Sequence, residues 1–387
     1  MIQNITDRVK YIGVEDTAIE LFESQYTVEE GMRYNSYVIL DEKVAVMDTV
    51  DDVKIDEWLE NLTEALAGRT PDYVVVSHME PDHSAGLQRL IELYPQMKVV
   101  GNAKTFPMIA QFFECDLTER SVVVKEGETL ELGAGALKFV MAPMVHWPEV
   151  MLAYDTLDKV LFSADAFGKF GADATAEDWK CEARRYYYNI VGKYGANVQS
   201  LLKKLNGTEV SVIAPLHGPV LTEDIAKYVE IYDGWSKYQW EDKGVMIAYA
   251  SIHGHTKAVA EKMAEILTEA GAETVKLFDL SIGDQSFMVE DAFQCESLIV
   301  AAASYDAGVF PPMEHFLHHL KSKNYNGRKV AIIENGSWAP TAGKVMRAML
   351  EGMKSINIYE PTLTIKSSYK ESNREAMVQM AEWMLTE

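Results

Sequence analysis

Short apolar strands alternate strictly with amphipathic helices after residue 243, and this alternation constrains the fold more than any other feature of the sequence. The strands are VMIAYAS, TVKLFDL, SLIVAAAS and KVAIIENGS, and a segment with helical spacing of apolar residues follows each of them. Strands that are apolar throughout are typical of a parallel sheet covered by helices on both faces. The second half of the chain is therefore predicted to be a doubly wound parallel α/β sheet.

The first half of the chain has a different pattern, in which short strands predominate. The segment YNSYVIL-DEK-VAVMDTV predicts a hairpin, KIDEWLENLTEAL predicts a helix, and further strands are predicted at DYVVVSH, MKVVGN, LKFVMAP, VMLAYDT, KVLFSAD and EVSVIAPLH. The hydrophobic periodicity breaks within DGWSKYQWEDKG, residues 233–244. Because 387 residues exceed one ordinary core, we predict two domains, 1–242 and 243–387.

The composition excludes several classes of function. The net charge is −23, from 59 acidic and 36 basic residues, and no cluster of Lys and Arg is present, so nucleic acid is not an expected partner. No apolar run reaches the roughly 18 to 20 residues that span a bilayer, and the first residues do not resemble a signal peptide, so a cytoplasmic protein without a membrane partner is expected. Three widely spaced cysteines, Cys115, Cys181 and Cys295, predict small buried apolar residues rather than disulfides or a metal knuckle.

Potential metal ligands collect at or just after predicted strand ends in the first half: His78, Glu80, Asp82, His83, His146, Asp165 and His217. Alternate residues of an extended segment point the same way, so the side chains of HMEPD are expected to converge, with Pro81 stiffening the loop. The alternative is a set of individually hydrogen-bonded histidines, with Asp82 or Ser84 capping the helix SAGLQRLIELY. Roughly half of these potential ligands are carboxylates, which favours iron or manganese over structural zinc. Asp165 is able to bridge two ions, which suggests two metals.

The motif HMEPDH, followed by His146, Asp165 and APLHGP, resembles the metallo-β-lactamase fold in the variant found in flavodiiron proteins, where Glu replaces the second His of HxHxDH. The resemblance implies that His78, Glu80 and His146 hold one iron, that Asp82 and His217 hold the other, and that Asp165 bridges them. His83 either ligates the second iron or donates a hydrogen bond from outside the ligand set. The implied fold class is α/β, with an N-terminal metallo-β-lactamase-like αββα sandwich (the diiron domain) followed by a flavodoxin-like doubly wound parallel sheet (the FMN-binding domain).

The loop SIHGHT leads directly from a strand into a helix, which makes it a potential anion site for a phosphate. It matches neither GxGxxG nor GxxxxGK[ST], but it resembles the flavodoxin phosphate loop, with His253 in place of a hydroxyl residue. The predicted phosphate-binding residues are Ser251, His253, Gly254, His255 and Thr256.

Two further strand ends are predicted to surround a flavin ring, because ligands of open α/β sheets lie beyond the carboxyl ends of the strands. They supply Ser304, Tyr305, Asp306, Ala307, Gly308, Asn335, Gly336, Ser337 and Trp338. Tyr305 and Trp338 either stack on the ring or pack as ordinary rim residues. The histidines His315, His318 and His319 are interpreted as the polar face of one helix, with no ligand partner at the right spacing.

The resemblance implies a reductase that passes electrons through FMN to a pair of non-haem irons and reduces O2 to water, NO to N2O, or both, thereby protecting against oxidative or nitrosative stress. Two ferrous ions and one reduced FMN hold the four electrons that O2 requires. No CxxC pair follows the second half, so rubredoxin or another reduced carrier is expected as a separate donor. A head-to-tail homodimer, or a dimer of such dimers, is expected.

Two other interpretations stay open at this point. The first is a zinc-dependent hydrolase of thioesters or phosphodiesters, with the metallo-β-lactamase fold, fused to a flavodoxin electron carrier; Glu80 argues against it. The second is a pure electron carrier in which the first half is only a scaffold; the complete set of ligand types argues against that.

Overall fold

The structure is a computed structural model that describes residues 2–177 and 179–386. The chain divides into two compact units, Met1–Ser236 and Lys237–Glu387, called here the first and the second unit. The sequence-based boundary after residue 242 falls at the start of a strand of the second unit, Asp242–Ala250.

The strands of the first unit are, in chain order, β1 (Gln3–Asn4), β2 (Val9–Tyr11), β3 (Val14–Asp16), β4 (Leu21–Phe22), β5 (Tyr26–Thr27), β6 (Met32–Tyr34), β7 (Tyr37–Leu40), β8 (Val44–Met47), β9 (Tyr73–Val75), β10 (Lys98–Gly101), β11 (Ser121–Val123), β12 (Thr129–Glu131), β13 (Ala136–Met141), β14 (Met151–Asp155), β15 (Val160–Phe162) and β16 (Val212–Ala214). Its α-helices are α1 (Ile55–Leu66), α2 (Pro81–Ser84), α3 (Leu87–Leu93), α4 (Thr105–Phe112), α5 (Trp179–Tyr186), α6 (Gly195–Leu205) and α7 (Ile225–Ser236).

Two sheets of the first unit share one buried apolar core. The larger sheet has the order β1-β2-β7-β8-β9-β10-β11, and the smaller one has the order β12-β13-β14-β15-β16. Apolar side chains of both sheets meet between them, for example those of Ile39 and Val100 with those of Phe139 and Phe162. Helix α1 packs against the larger sheet and α6 against the smaller one, so the predicted αββα sandwich is confirmed.

The strand directions bring several loops of the first unit to one edge of the smaller sheet. Strands β15 and β16 are parallel, and β13 runs in the same direction because β14 is antiparallel to both β13 and β15. The segments that follow β13, β15 and β16 therefore leave this sheet at the same edge. A backbone hydrogen bond from Met151 to Ser77, 3.1 Å long, joins the segment after β9 of the larger sheet to the same region.

The second unit is a parallel sheet covered on both faces, as predicted. Its strands are β17 (Asp242–Ala250), β18 (Val275–Asp279), β19 (Cys295–Tyr305), β20 (Gly308–Val309), β21 (Lys329–Asn335), β22 (Asn357–Ile358) and β23 (Leu363–Ile365), and its α-helices are α8 (His255–Glu269), α9 (Gln285–Gln294), α10 (Pro311–Ser322), α11 (Ala342–Glu351) and α12 (Arg374–Met384). The sheet order is β18-β17-β19-β21-β22, with β23 also parallel to β21 and the short β20 antiparallel to β19. Helices α8 and α12 share a core with one face of the sheet, and α9, α10 and α11 contact its strands from the other.

Every strand and helix named from the sequence is present. The elements that were not predicted are the short strands β1–β6, β11, β12 and β20 and the helices α2 and α4–α7. One local expectation is wrong: Pro81 does not stiffen an extended loop but occupies the first turn of helix α2. Among the described helices, none combines the length and the apolar character needed to cross a membrane.

Candidate functional site

The seven predicted metal ligands of the first unit lie in segments that follow strands. His78 and Glu80 follow β9, while Asp82 and His83 belong to helix α2. The other three predicted ligands follow β13, β15 and β16, and they are His146, Asp165 and His217, respectively. Because Pro81 starts a helix, the alternation of an extended strand ends at Glu80, and Asp82 is directed to a different group from His78 and Glu80.

The first group consists of His78, Glu80, His146 and Asp165, whose nitrogen and oxygen atoms lie within 4.8 Å of one another. Oε2 of Glu80 is 3.1 Å from Nε2 of His78 and 3.0 Å from Nε2 of His146. Oδ2 of Asp165 is 3.3 Å and 2.9 Å from the same two nitrogens. Two imidazoles and two carboxylates therefore converge on one point.

The second group consists of Asp82, His83 and His217. Oδ2 of Asp82 is 3.3 Å from Nε2 of His83 and 3.2 Å from Nε2 of His217, and the two nitrogens are 3.1 Å apart. The structure thus places His83 within the cluster, with its Nε2 facing the other ligands.

Asp165 joins the two groups, because its two oxygens face different ones. Oδ2 is directed at the first group, whereas Oδ1 is 3.2 Å from Nε2 of His83 and 3.9 Å from Nε2 of His217. This is the arrangement expected of a carboxylate that bridges two cations.

Hydrogen bonds outside the two groups orient the rings of two histidines. Nδ1–H of His78 donates to Oε1 of Glu149 over 2.8 Å, and Nδ1–H of His217 donates to the carbonyl of Arg33 over 2.8 Å. Each bond turns Nε2 of its ring towards the cluster. The sequence analysis missed Glu149; the only signal available was its place three residues after His146.

Burial and opposite charge shift the pKa values of the cluster in opposite directions. Burial lowers the pKa of His146, but hydrogen bonds to Asp165 and Glu80 outweigh it and raise the pKa to about 9. Burial raises the pKa of Asp165, but the charges of His78 and His83 hold it well below its usual range. The pKa of Glu80 is lowered in the same way, against burial, by hydrogen bonds with His146 and His78. These carboxylates are therefore charged at neutral pH and are able to bind cations.

The interpretation of Asp82 or Ser84 as helix caps does not agree with the structure. Helix α3 has Gly86 as its N-cap and no side-chain capping bond. Oγ of Ser84 instead donates to the carbonyls of Met79 and Glu80, each over 3.0 Å. Ser84 thus holds the turn that carries Glu80.

A cavity of about 650 Å³ lies in the second unit, at the carboxyl ends of its strands. Of the predicted cofactor-binding residues, those that line it are Ser251, His253, His255, Thr256, Ser304, Tyr305, Asp306, Ala307, Asn335, Gly336, Ser337 and Trp338. Gly254 and Gly308 do not line it, although each lies within a segment that does. The sequence analysis missed Ile252, Ala303, Ala339, Thr341 and Ser367, which also line the cavity.

One end of this cavity is an open helix N-terminus. Helix α8 begins at His255, and its N-cap Gly254 has φ +84°, a conformation that favours glycine. Oγ of Ser251 accepts a hydrogen bond from the backbone N–H of Gly254 over 3.1 Å, which closes the loop. The first N–H groups of α8, which have no partner within the helix, face a site suited to an anion.

Two exposed aromatic side chains also line the cavity. Trp338 is 92% exposed and Tyr305 is 45% exposed, so Trp338 does not behave as an ordinary packed rim residue. The hydroxyl of Ser304, in contrast, accepts hydrogen bonds from the backbone of Thr341 and Ala342 and thus caps helix α11. Nδ2 of Asn335 donates to the carbonyl of Ser367.

Three comparisons place the chain among known proteins. Residues 32–218 match the sequence model of a family described as ODP family beta lactamase. A nitric oxide reductase of Moorella thermoacetica is 29% identical over 376 residues, which cover 94% of this chain and 92% of that protein. Rubredoxin oxygen:oxidoreductase of Desulfovibrio gigas has a similar structure, with TM-score 0.94 and 25% identity, over 100% of this chain and 98% of that one. The flavodiiron protein of Giardia intestinalis has the same fold, with TM-score 0.93 and 24% identity, over 100% and 97% of the two chains.

Over nearly its whole length the chain is similar to flavodiiron proteins. These proteins form an oxidoreductase family, and the similarity implies FMN and a non-haem diiron site.

The first unit of the chain fits a pair of metal ions. Within the described residues, both carboxylate oxygens of Asp82, Oδ1 of Asp165 and Nδ1 of His83 are buried without a hydrogen-bond partner. A buried anionic oxygen without a partner is costly, and a bound cation removes that cost. The mixture of imidazole and carboxylate ligands suits iron.

The second unit fits FMN. Its cavity combines backbone donors for a phosphate at the N-terminus of α8 with aromatic side chains at the rim, where a planar ring is able to stack. Residues of both predicted strand-end segments line the space between them.

Proposed function

We propose that this chain reduces O2 to water, NO to N2O, or both, at a diiron site in the first unit, with electrons passed through FMN in the second. The observation that supports it best is the position of Asp165, whose two oxygens face two different groups of potential ligands. A carboxylate in this position suits two metals rather than one. In this proposal His78, Glu80 and His146 hold one iron, Asp82, His83 and His217 hold the other, and Asp165 bridges them.

When bound, two irons would supply open coordination positions and two electrons, and reduced FMN would supply two more electrons; the reduction of O2 takes all four, whereas the conversion of two NO molecules to N2O takes two. The side chains of the site orient and hold these groups. Glu149 and the carbonyl of Arg33 hold the rings of His78 and His217 so that Nε2 of each ring faces the cluster. Glu80 is the ligand that is most open to solvent, with 16% of its side chain exposed, and a small molecule is therefore expected to reach the site on its side.

In the second unit, the backbone of residues 251–256 binds the phosphate of FMN in this proposal, and Tyr305 and Trp338 contact its ring. Two observations support this: the open N-terminus of α8 lies at the cavity, and exposed aromatic side chains line it. Ser304 contributes mainly by fixing the start of α11, because its hydroxyl is already bonded to that helix.

We further propose rubredoxin, or another small reduced carrier, as the electron donor, and a head-to-tail homodimer, or a dimer of such dimers, as the assembly. The name of the similar D. gigas protein, rubredoxin oxygen:oxidoreductase, supports the donor. The 92% exposure of Trp338 at the cavity rim supports a second copy that covers it. Light scattering after size-exclusion chromatography would test the assembly; a monomer at micromolar concentration would contradict it.

The metal and flavin content of anaerobically purified protein tests the proposed cofactors. We expect close to two irons and one FMN per chain by elemental analysis and flavin absorbance. Zinc in place of iron, in protein produced with both metals available, would contradict the reductase and favour a hydrolase. With iron and FMN present, the consumption of O2 and of NO by the reduced protein, each measured separately, identifies the substrate.

Substitution of Glu80 tests the ligand assignment. Glu80→Ala should lose iron and the reduction of O2 and NO while retaining FMN, because the first group loses a carboxylate and the second unit is unchanged. Glu92→Ala is the matched control, since Glu92 is an exposed residue of α3. Retention of both irons in Glu80→Ala, or loss of FMN with iron retained, would refute the assignment.

A further inference from the structure

Two histidines of helix α10 are in direct contact on its surface. His315 and His319 are four residues apart, and their Nε2 atoms are 3.0 Å apart, with ring centroids at 4.5 Å and ring planes at 88°. From the sequence these histidines were left without an assigned ligand partner. In the structure each ring reaches the other, because residues four apart on a helix lie on the same face.

The distance between the two nitrogens agrees with that of two ligands on one metal ion. With metal–nitrogen bonds of about 2.0 to 2.1 Å, ligands at 90° are about 2.9 Å apart and tetrahedral ligands are about 3.3 Å apart. The observed 3.0 Å lies between these two values. A bound ion thus requires little movement of either side chain.

The position of the pair on its helix and the residues around it indicate which class of cation it suits. His319 lies in the last turn of α10, where the helix dipole favours positive charge. No carboxylate joins the pair in the potential metal-binding groups of the described residues, which disfavours Mg²⁺ and Ca²⁺.

We propose that His315 and His319 form a surface site for a divalent transition-metal ion such as Ni²⁺, Cu²⁺ or Zn²⁺, with water in the remaining coordination positions. Imidazole is the ligand that these ions share. The site lies in the second unit, whereas all the proposed iron ligands lie in the first. It does not depend on the proposed reductase function.

Equilibrium dialysis against Ni²⁺, with FMN and iron already bound, tests the site. The wild type should bind one Ni²⁺ per chain, and His315→Gln and His319→Gln should each weaken that binding by at least about tenfold, because each leaves a single imidazole. His318→Gln is the matched control: His318 is exposed on the same helix but takes no part in the 3.0 Å contact, so Ni²⁺ binding should not change.

Three results would overturn the proposal. They are the absence of Ni²⁺ binding by the wild type, equal binding by the wild type and His319→Gln, and equal losses in all three variants. FMN absorbance and iron content are measured on each sample. If both values are unchanged, a loss of Ni²⁺ binding results from the substitution on the surface of α10 and not from damage to either proposed cofactor site.

Discussion

Glu149 is the residue whose replacement most directly tests how the first unit holds its metal ligands. It is fully buried, and its Oε1 accepts two hydrogen bonds of 2.8 Å, one from Nδ1–H of His78 and one from the backbone N–H of Met79. Burial raises the pKa of Glu149, but the hydrogen bond from His78 outweighs this and the pKa is lowered, so the carboxylate is charged at neutral pH. Glu149→Gln keeps the shape of the side chain and removes its charge.

The expected effect is a loss of iron affinity and not a loss of fold. A neutral amide accepts a weaker hydrogen bond from His78 and no longer stabilises positive charge on a ring that binds a cation. Replacing such a partner typically weakens metal binding by about 10- to 100-fold, which corresponds to about 1.4 to 2.7 kcal/mol. FMN binding should not change.

Competition with a chelator measures this effect directly. The protein is loaded with ferrous iron, titrated with a chelator of known affinity under anaerobic conditions, and the retained iron is counted. Glu334→Gln is the matched control, because Glu334 is a buried carboxylate that also accepts a backbone N–H, from Gly343, but lies in the second unit. Equal iron retention by Glu149→Gln and the wild type would refute the proposed positioning of His78.

Three further substitutions and measurements follow from the second unit. Trp338→Ala should weaken FMN binding by about three- to tenfold, because a stacking contact is lost. Trp240→Ala is the control and should leave FMN binding unchanged, since Trp240 is exposed but does not line the cavity. A flavin fluorescence titration measures both affinities. Gly254→Ala should weaken FMN binding about fivefold, because φ +84° costs alanine about 1 kcal/mol although its Cβ meets no neighbouring atom; an unchanged affinity would contradict this. Burial raises the pKa of the Cys295 thiol to about 12, so a thiol reagent at pH 8 should modify Cys295 only after the protein is unfolded. Peptide mapping measures the modification. Modification of Cys295 in the native protein would refute the burial of its thiol.

The second unit was predictable from sequence because its elements carry strong and mutually consistent signals. Strands β17, β19 and β21 are largely buried and read as continuous apolar runs, and Pro311 and Gly271 lie at helix ends. Strands β1–β6 have only two or three residues each, too few for a periodic pattern to be recognised. Length alone does not decide the outcome, because the three-residue strand β15 lies within a longer apolar run and was predicted, whereas helices α6 and α7 were not.

The composition of the candidate site was predictable, but the pairing of its residues was not. Ligand types at strand ends identified the seven residues of the cluster, yet the start of α2 at Pro81 decides that Asp82 faces a different group from Glu80. Glu149 and Ser367 act only through contacts made by the folded chain. Ser367 reaches the cavity because β23 lies beside β21, a pairing that no local pattern reveals.

The shared carboxylate of Asp165 has a consequence for how the first unit fills with metal. In the proposed diiron site, cations at the two groups share the charge of one carboxylate, whose oxygens already face both groups, and they also repel each other. Occupation of one group therefore changes the affinity of the other, and the coupling is reciprocal by thermodynamic linkage. A limiting supply of iron should reveal its sign: few chains with one iron when the shared carboxylate dominates, and many when the repulsion dominates.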